Sequence, residues 1–290
     1  MIHFLNGDAF GGQLRDPKWQ GLNPLFRAKL RLGDTSIHCY VKPIPDVVKE
    51  SGGPAYKSAE ILSEALGYTI AKNMGLPVAG TAGVILLDRE QIPERVQRNL
   101  DAISDQGPQE SYLSWFCQDM THPNLVQKHV KGFPDFLRER RTRRLITSLA
   151  KNASVPAIIS FDLWLQNSDR HLGNLLWGAG GNYTLIDHGR LFVWPDWTPP
   201  NLSHDRPCSN RLREIIEGVE PNWSQQLPNR GAMHLAYNTF AVAFREKGAK
   251  AASEMLLEFL EEAEAESVVD FITSRLDTKN YSKELGVLAI

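Results

Sequence analysis

An α+β protein in two lobes is the fold class this 290-residue sequence predicts. Three observations carry that expectation. Two strands with alternating apolar residues stand early in the chain, followed by a long helical period and a buried strand. The second half reads as helix after helix. Within that helical half sits one short hairpin, and this order of elements suggests the α+β class. With 42% hydrophobic residues the chain can bury a large core, and its length favours more than one lobe.

The first strands are "PLFRAKLRL" and "SIHCYVKPI", joined across "GDT" by a tight turn. Strand alternation puts Ile37, Cys39 and Val41 on one face and Lys42 on the other. Upstream, "DAFGGQLRDPKWQGLNP" is rich in Gly and Pro and reads as loop. "AYKSAEILSEALGYTIAKNM" reads as helix, because Ile61, Leu62, Ala65, Leu66, Thr69 and Ile70 recur at helical period. Gly75 ends it and Pro77 prevents its resumption. "VAGTAGVILLD" is a buried strand, "QIPERVQRNLDAISDQGPQES" part helix and part loop, and "SYLSWFCQDM" a strand and connector. The lobe boundary is placed in that connector, giving residues 1–115 and 116–290.

"FPDFLRERRTRRLITSLAKNA" reads as a helix with Phe136, Leu137, Leu145, Ile146 and Leu149 on its apolar side. "VPAIISFDLWLQN" is a second helix, opened by Pro156 and ending near Asn167. "NLLW" and "YTLID" form a hairpin over "GAGGN". From Phe192 to about Glu220 the chain is rich in Pro and Trp, an ordered loop leading to a short helix. Arg230 to Leu276 reads as helices broken at Gly248 in "EKGAK".

Formal charge is −2, so no global basic character draws the chain to nucleic acid or to a membrane surface. Cys39, Cys117 and Cys208 are scattered and form no CxxC pair, so neither a disulfide framework nor a zinc site is indicated, which fits a reducing cytoplasm. No signal peptide is read at the N-terminus, and no apolar run has the roughly 18 residues of a membrane span. The run Arg138–Arg144, with Lys128 and Lys131, reads as a solvated face or as a dock for an acidic partner, a lipid headgroup or nucleic acid. It has no interleaved aromatics, which argues against single-stranded nucleic acid.

The chemistry lies in "FDLWLQNSDRHLGNLLW" and "YTLIDHGRLF". Asp169 and Asn174 stand on the loop entering the hairpin, and Asp187 stands where its second strand ends. Hairpin partners lie about 5 Å apart, so Asn174 and Asp187 can face a common point with Asp169 nearby. A carboxylate and a carboxamide form a hard-oxygen set suited to Mg²⁺. A further carboxylate can orient a hydroxyl or accept its proton. Asp-x-x-x-x-Asn followed by Asp-x-Gly is the arrangement of phosphoryl transfer in kinases. Such a site also needs a strand lysine for the nucleotide's phosphates and a helix acid to hold it. Lys42 fits the first, and Glu60 and Glu64, one turn apart, both fit the second. His171 is either a donor to the transferring group or a structural histidine. Arg170 either holds the loop or meets phosphate, His188 packs beneath the loop, and the Trp194, Trp197, Pro199 stretch is either a packed loop or, standing just after Asp187, a segment facing substrate. Two other classes use part of this set. A metal hydrolase on Asp169, His171, Asp187 and His188 leaves Lys42 and Glu64 unexplained. A nucleotide-binding regulator leaves the intact polar set unexplained.

"YVKP", "SEALGYTIAKNMGLPVAG", "FDLWLQNSDRHLGNLLW" and "YTLIDHGRLF" together resemble the HipA-like kinases, from about Gly21 to Phe192. The site half also resembles the phosphoinositide kinases. The resemblance implies a protein-kinase-like fold with a small β-rich N-lobe and a larger, mainly helical C-lobe. It implies Asp169 as catalytic acid/base, Asn174 and Asp187 as Mg²⁺ ligands, and Lys42 on the ATP phosphates with Glu64 as partner. "GLNP", with Gly21 and Asn23, falls where the phosphate-covering loop lies. Asp-His-Gly in place of Asp-Phe-Gly disfavours an ordinary eukaryotic-type protein kinase. The implied reaction is ATP-dependent transfer to a Ser or Thr of a protein by the HipA-like resemblance, or to a lipid by the phosphoinositide-kinase one; the near-neutral charge and the lack of a membrane span favour the protein acceptor.

Overall fold

The computed structural model describes residues 2–15, 24–49, 53–178, 181–193 and 195–285. It divides into two compact units, one of residues 1–65 and 79–120, the other of residues 66–78 and 121–290.

Among the described residues of the first unit, six strands form one sheet in the order β1-β7-β8-β4-β3-β2. They are β1 (His3–Leu5), β2 (Phe10–Gln13), β3 (Phe26–Leu32), β4 (Thr35–Pro43), β7 (Ala82–Asp88) and β8 (Ser111–Gln118). A short pair, β5 (Val47–Lys49) and β6 (Ala55–Lys57), stands apart. β3 and β4 are antiparallel, with Ala28 opposite Cys39 and Phe26 opposite Val41. The inward residues of these strands join Ile85, Leu87 and Phe116 in a dry core. The helix α2 (Glu94–Ile103) closes that core with Val96 and Leu100. Alternation therefore does what it should: Cys39 and Val41 go in, and Lys42 turns to the other face.

Two readings change here. The Gly-rich N-terminal stretch is not all loop. Phe10–Gln13 pairs with β3 across a register shift, because a bulge accommodates Gly12 at φ +118° within an edge strand. The first residues of the long helical period, Ala55–Lys57, are the strand β6, and α1 runs only over Glu60–Asn73. Ser58 marks the change, its Oγ accepting the Glu60 N–H. At the far end Gly75, at φ +76°, closes α1 as expected.

The second unit is built around α5 (Val155–Trp164), which is buried on nearly every side. A helix apolar all round belongs in a core. α7 (Leu227–Ala243) packs along it through an aromatic cluster of Phe161, Trp164 and Phe240. The last carbonyls of α5 are satisfied by a buried cation: Arg275 donates to Trp164 O at 2.6 Å and to Leu163 O at 2.8 Å. Around this pair lie α3 (Leu125–His129), α4 (Asp135–Ala150), α6 (Arg211–Glu217), α8 (Ala249–Leu256), α9 (Glu262–Ser274) and α10 (Thr278–Leu285).

The expected break at Gly248 is absent. Phe244–Gly248 is a π-helical turn that carries α7 directly into α8. Gly248 serves packing instead, since a Cβ there would stand 2.6 Å from Phe244 Cδ2 and 2.8 Å from Met74 Cε. The interruption falls later, between Leu256 and Glu262. Phe136 is also misplaced on the apolar face of α4, being 78% exposed. The three cysteines are free. Among the described residues, no helix is long and apolar enough to cross a membrane.

Candidate functional site

In the first unit Lys42 meets both acids proposed for it. Its Nζ lies 2.5 Å from Glu60 Oε1 and 3.0 Å from Glu64 Oε1. The two glutamates are one turn apart at the start of α1, so one ammonium reaches both. They are not equivalent. Glu64 is 2% exposed and Glu60 23%. An ion pair inside protein is screened far less than one at the surface, so Glu64 is the stronger anchor. Gly21 and Asn23 lie outside the described residues.

In the second unit the hairpin forms as expected. β9 (Leu175–Trp177) pairs antiparallel with β10 (Tyr183–Leu185), Leu175 opposite Leu185. The ladder continues past the strands' formal ends, because Ile186 N–H donates to Asn174 O at 3.2 Å. Asn174 and Ile186 are thus cross-strand neighbours, and Asp187 follows Ile186 directly. Asp187 has φ +62°, a left-handed conformation that a branched or bulky residue avoids and an aspartate tolerates.

Asn174 is held by its own loop. Its Nδ2 donates to Asp169 O at 3.0 Å, and its backbone N–H donates to His171 O at 3.0 Å. With the amide nitrogen committed, the carboxamide oxygen is the atom left to offer a ligand. The Asp169 N–H is bound by Asn167 Oδ1 at 3.2 Å. The Asp169 carboxylate is half exposed and lies 2.6 Å from Arg211 Nη1. His171 Nδ1 accepts the Gly173 N–H at 2.9 Å, so the histidine caps the turn over Leu172–Asn174. Its neutral ring then carries the proton on Nε2.

Beneath the loop is a charge pair without solvent exposure. Arg170 and Asp162 are both 0% exposed, with Nε–Oδ2 at 3.1 Å. Asn167 Nδ2 also donates to Asp162, at 3.0 Å. Burial pushes the Asp162 carboxyl above its ordinary range, against the opposing pull of Arg170 and Asn167. Arg170 further donates to Asn174 O and Ile186 O, the two carbonyls flanking the hairpin mouth. Its Nη2 lies 3.1 Å from His188 Nδ1. A guanidinium only donates, so His188 Nδ1 accepts. Of the two roles open to Arg170, holding the loop is the one seen. His188 is buried against Phe161 and against α1, where a Cβ on Gly67 would fall 2.5 Å from His188 Cβ.

The comparisons with known proteins place this arrangement in a fold. No protein-family model matches the chain, and no curated protein does. Among solved structures, the proinflammatory kinase CtkA of Helicobacter pylori superposes with a TM-score of 0.50 at 14% identity, over 91% of this chain and 95% of that one. The fold is kinase-like. The α+β class and the division into a sheet-rich and a mainly helical part agree with it.

The segment after Asp187 makes a cavity of about 590 Å³, lined by Val193, Asp196, Trp197, Asn201, Arg206 and Pro207. Gln166, at the end of α5, ties its two walls together. Val193 N–H donates to Gln166 O at 3.0 Å, and Gln166 Nε2 donates to Arg206 O at 3.3 Å. Trp197 lines this cavity, and Trp194 lies outside the described residues. The basic run is partly occupied internally. Arg138 pairs with Asp135 at 2.8 Å, and Arg141 donates to His129 O at 2.5 Å while stacking on Phe133.

Sequence reasoning passed over Asp162, Asn210, Arg211 and Gln166. Asp162 had a signal, being the lone acid inside the apolar run "IISFDLWL", and such an acid needs a buried partner. Arg211 had none, because its partner is far away in sequence.

Proposed function

We propose that the chain is an ATP- and Mg²⁺-dependent kinase that passes the γ-phosphoryl group to a hydroxyl acceptor, a serine or threonine of a protein. The observation that carries this reading is the hairpin mouth, where Asn174 and the residue preceding Asp187 are cross-strand partners and Asp169 holds Asn174's amide. The kinase-like fold supports it independently.

Each residue then has a task. Lys42 neutralises charge on the α- and β-phosphates, with its ammonium oriented by Glu64 and Glu60. Asn174 Oδ1 and the Asp187 carboxylate are the hard oxygens that would hold a divalent cation. When bound, such a cation supplies neutralisation of phosphate charge. Asp169 orients the acceptor hydroxyl and takes its proton. His171, with Nδ1 occupied by the turn, has Nε2–H free to donate toward a phosphoryl oxygen. Arg170 stays out of the reaction and keeps Asn174 and Ile186 in register.

The test is phosphate transfer from labelled ATP, with a lysate and without one, read by phosphosite mapping. Asp169→Asn should lower turnover by roughly 10²–10⁴-fold while Mg·ATP still raises the melting temperature. Asp187→Asn should weaken that melting shift itself. Full transfer by Asp169→Asn would show that another group is the base. A wild-type melting shift without any turnover would mark the chain as a nucleotide-binding regulator instead.

A further inference from the structure

Arg211 is the first residue of α6 and more than half exposed, yet its Nη1 lies 2.6 Å from Asp169 Oδ1. Two facts make this placement hard to explain as scaffolding. A cation in the first turn of a helix faces the positive end of the helix dipole, where an acid would be favoured. An exposed ion pair of this kind adds little to stability. The start of α6 is nevertheless fixed with care. Asn210 is fully buried, its Oδ1 accepts the Arg213 N–H at 2.9 Å, and its Nδ2 donates to Ile159 O on α5 at 3.4 Å. A buried cap thus staples the start of α6 to the core helix and sets where Arg211 can reach.

We propose that Arg211 is a positioning residue for the Asp169 carboxylate, holding Oδ1 so that Oδ2 is presented to the acceptor hydroxyl. The proposal rests on the kinase reading above. Asp169 is already held at its main chain, its N–H by Asn167 and its carbonyl by Asn174. Those bonds fix the backbone and leave the carboxylate free to turn about its own side chain. Among the described residues, Arg211 is the contact that fixes the side chain. An arginine suits the role because its planar fork binds an oxygen with defined direction and stays charged at every working pH.

The experiment compares the full-length wild type with Arg211→Ala, Arg211→Lys, Asp169→Ala and the Arg211→Ala/Asp169→Ala double variant. Melting temperature, KM for ATP and kcat are measured on each. Arg211→Ala should lose roughly 10–100-fold in kcat, the order that misplacing a reacting group costs. Its melting temperature and KM for ATP should stay at wild-type values. Millimolar guanidinium ion should restore part of the loss in Arg211→Ala and none in Asp169→Ala. The double variant should be no slower than Asp169→Ala alone, since the arginine acts only through that carboxylate. Arg211→Lys should fall between wild type and Arg211→Ala. Full kcat in Arg211→Ala, additive losses in the double variant, or a loss that guanidinium leaves untouched would each overturn the proposal. A wild type inactive toward ATP would sink the kinase reading, and this inference with it. An active wild type beside an unimpaired Arg211→Ala would sink this inference alone.

Discussion

The lysine cluster and the hairpin-mouth loop are built by opposite means. Lys42, Glu60 and Glu64 sit on a regular strand and a regular helix, and their contacts are side chain to side chain. The loop from Gln166 to Val193 depends on irregular backbone. Among the described residues six non-glycine positions have positive φ, and four of them, Gln166, Asp187, Phe192 and Val193, lie on it. Left-handed Phe and Val are costly, of order 1–3 kcal/mol each. They persist here because hydrogen bonds hold them: Phe192 N–H donates to Leu165 O and Val193 N–H to Gln166 O, each at 3.0 Å. A site on regular elements tolerates the loss of one contact. A site on strained backbone depends on whatever braces it, and here the chief brace is the Arg170–Asp162 pair.

The largest expected effect therefore comes from Arg170→Ala. It leaves Asp162 buried without its cation and releases the carbonyls of Asn174 and Ile186 together. Removing one member of such a pair costs about 3–5 kcal/mol, read as a fall in the urea midpoint. The contrast sharpens with Arg170→Met/Asp162→Leu. Two apolar side chains should recover much of the stability while phosphate transfer stays lost, because the loop's carbonyls still lack their donor. If the double variant recovers both, the pair is scaffolding for the core alone.

In the lysine cluster the effects should be smaller and graded by burial. Glu64→Gln loses a buried charge-assisted bond, worth about 1.5–3 kcal/mol. Glu60 is more open, and Glu60→Gln should cost about 0–1 kcal/mol. The same order should hold for the weakening of Mg·ATP binding, measured by titration calorimetry. Equal losses would mean that the closer oxygen, that of Glu60, anchors Lys42 as firmly as the buried one. Gly67→Ala stands beside Glu64→Gln in size. Its new Cβ meets His188 Cβ at 2.5 Å, a collision between two fixed atoms that should cost about 1–3 kcal/mol by overpacking. His188→Ala removes the ring atoms that the new Cβ also meets, Cγ at 2.7 Å and Nδ1 at 3.1 Å, but keeps Cβ, so it should relieve the clash only in part, which a melting comparison of single and double variants checks.

The same contrast decides what could be read from the residues alone. Strand alternation at Cys39, Val41 and Lys42, the hairpin over its Gly-rich turn, and the stop at Gly75 are local patterns, and the structure has them where they were expected. Lys42 and its two acids came from what phosphoryl transfer requires, and the helical turn between Glu60 and Glu64 explains why both acids meet one lysine. What binds the loop together follows no strand or helix repeat. Asp162 finds Arg170 around the end of a helix, Gln166 holds residues on either side of a later cavity, and Arg211 reaches back to Asp169. No periodicity announces such contacts. The Gly-rich strand β2 was hidden because its partner strand, not its own composition, makes it a strand.

The smallest expected effect belongs to Phe136→Ser, and helix geometry explains why. At about 100° per residue, the step from Phe136 to Leu145 turns the helix through roughly 180°, so the two cannot share a face. Leu145, Ile146 and Leu149 are buried, and Phe136 stands in solvent at 78% exposure. Leu145→Ala should cost about 2–5 kcal/mol through a cavity in the packed face of α4. Phe136→Ser should change stability by no more than about 0.5 kcal/mol in either direction, with phosphate transfer intact. Chemical denaturation of both variants on one plot makes the comparison. A large loss from Phe136→Ser would require a contact for that ring, and α4 would then have to present its first turn to something other than water.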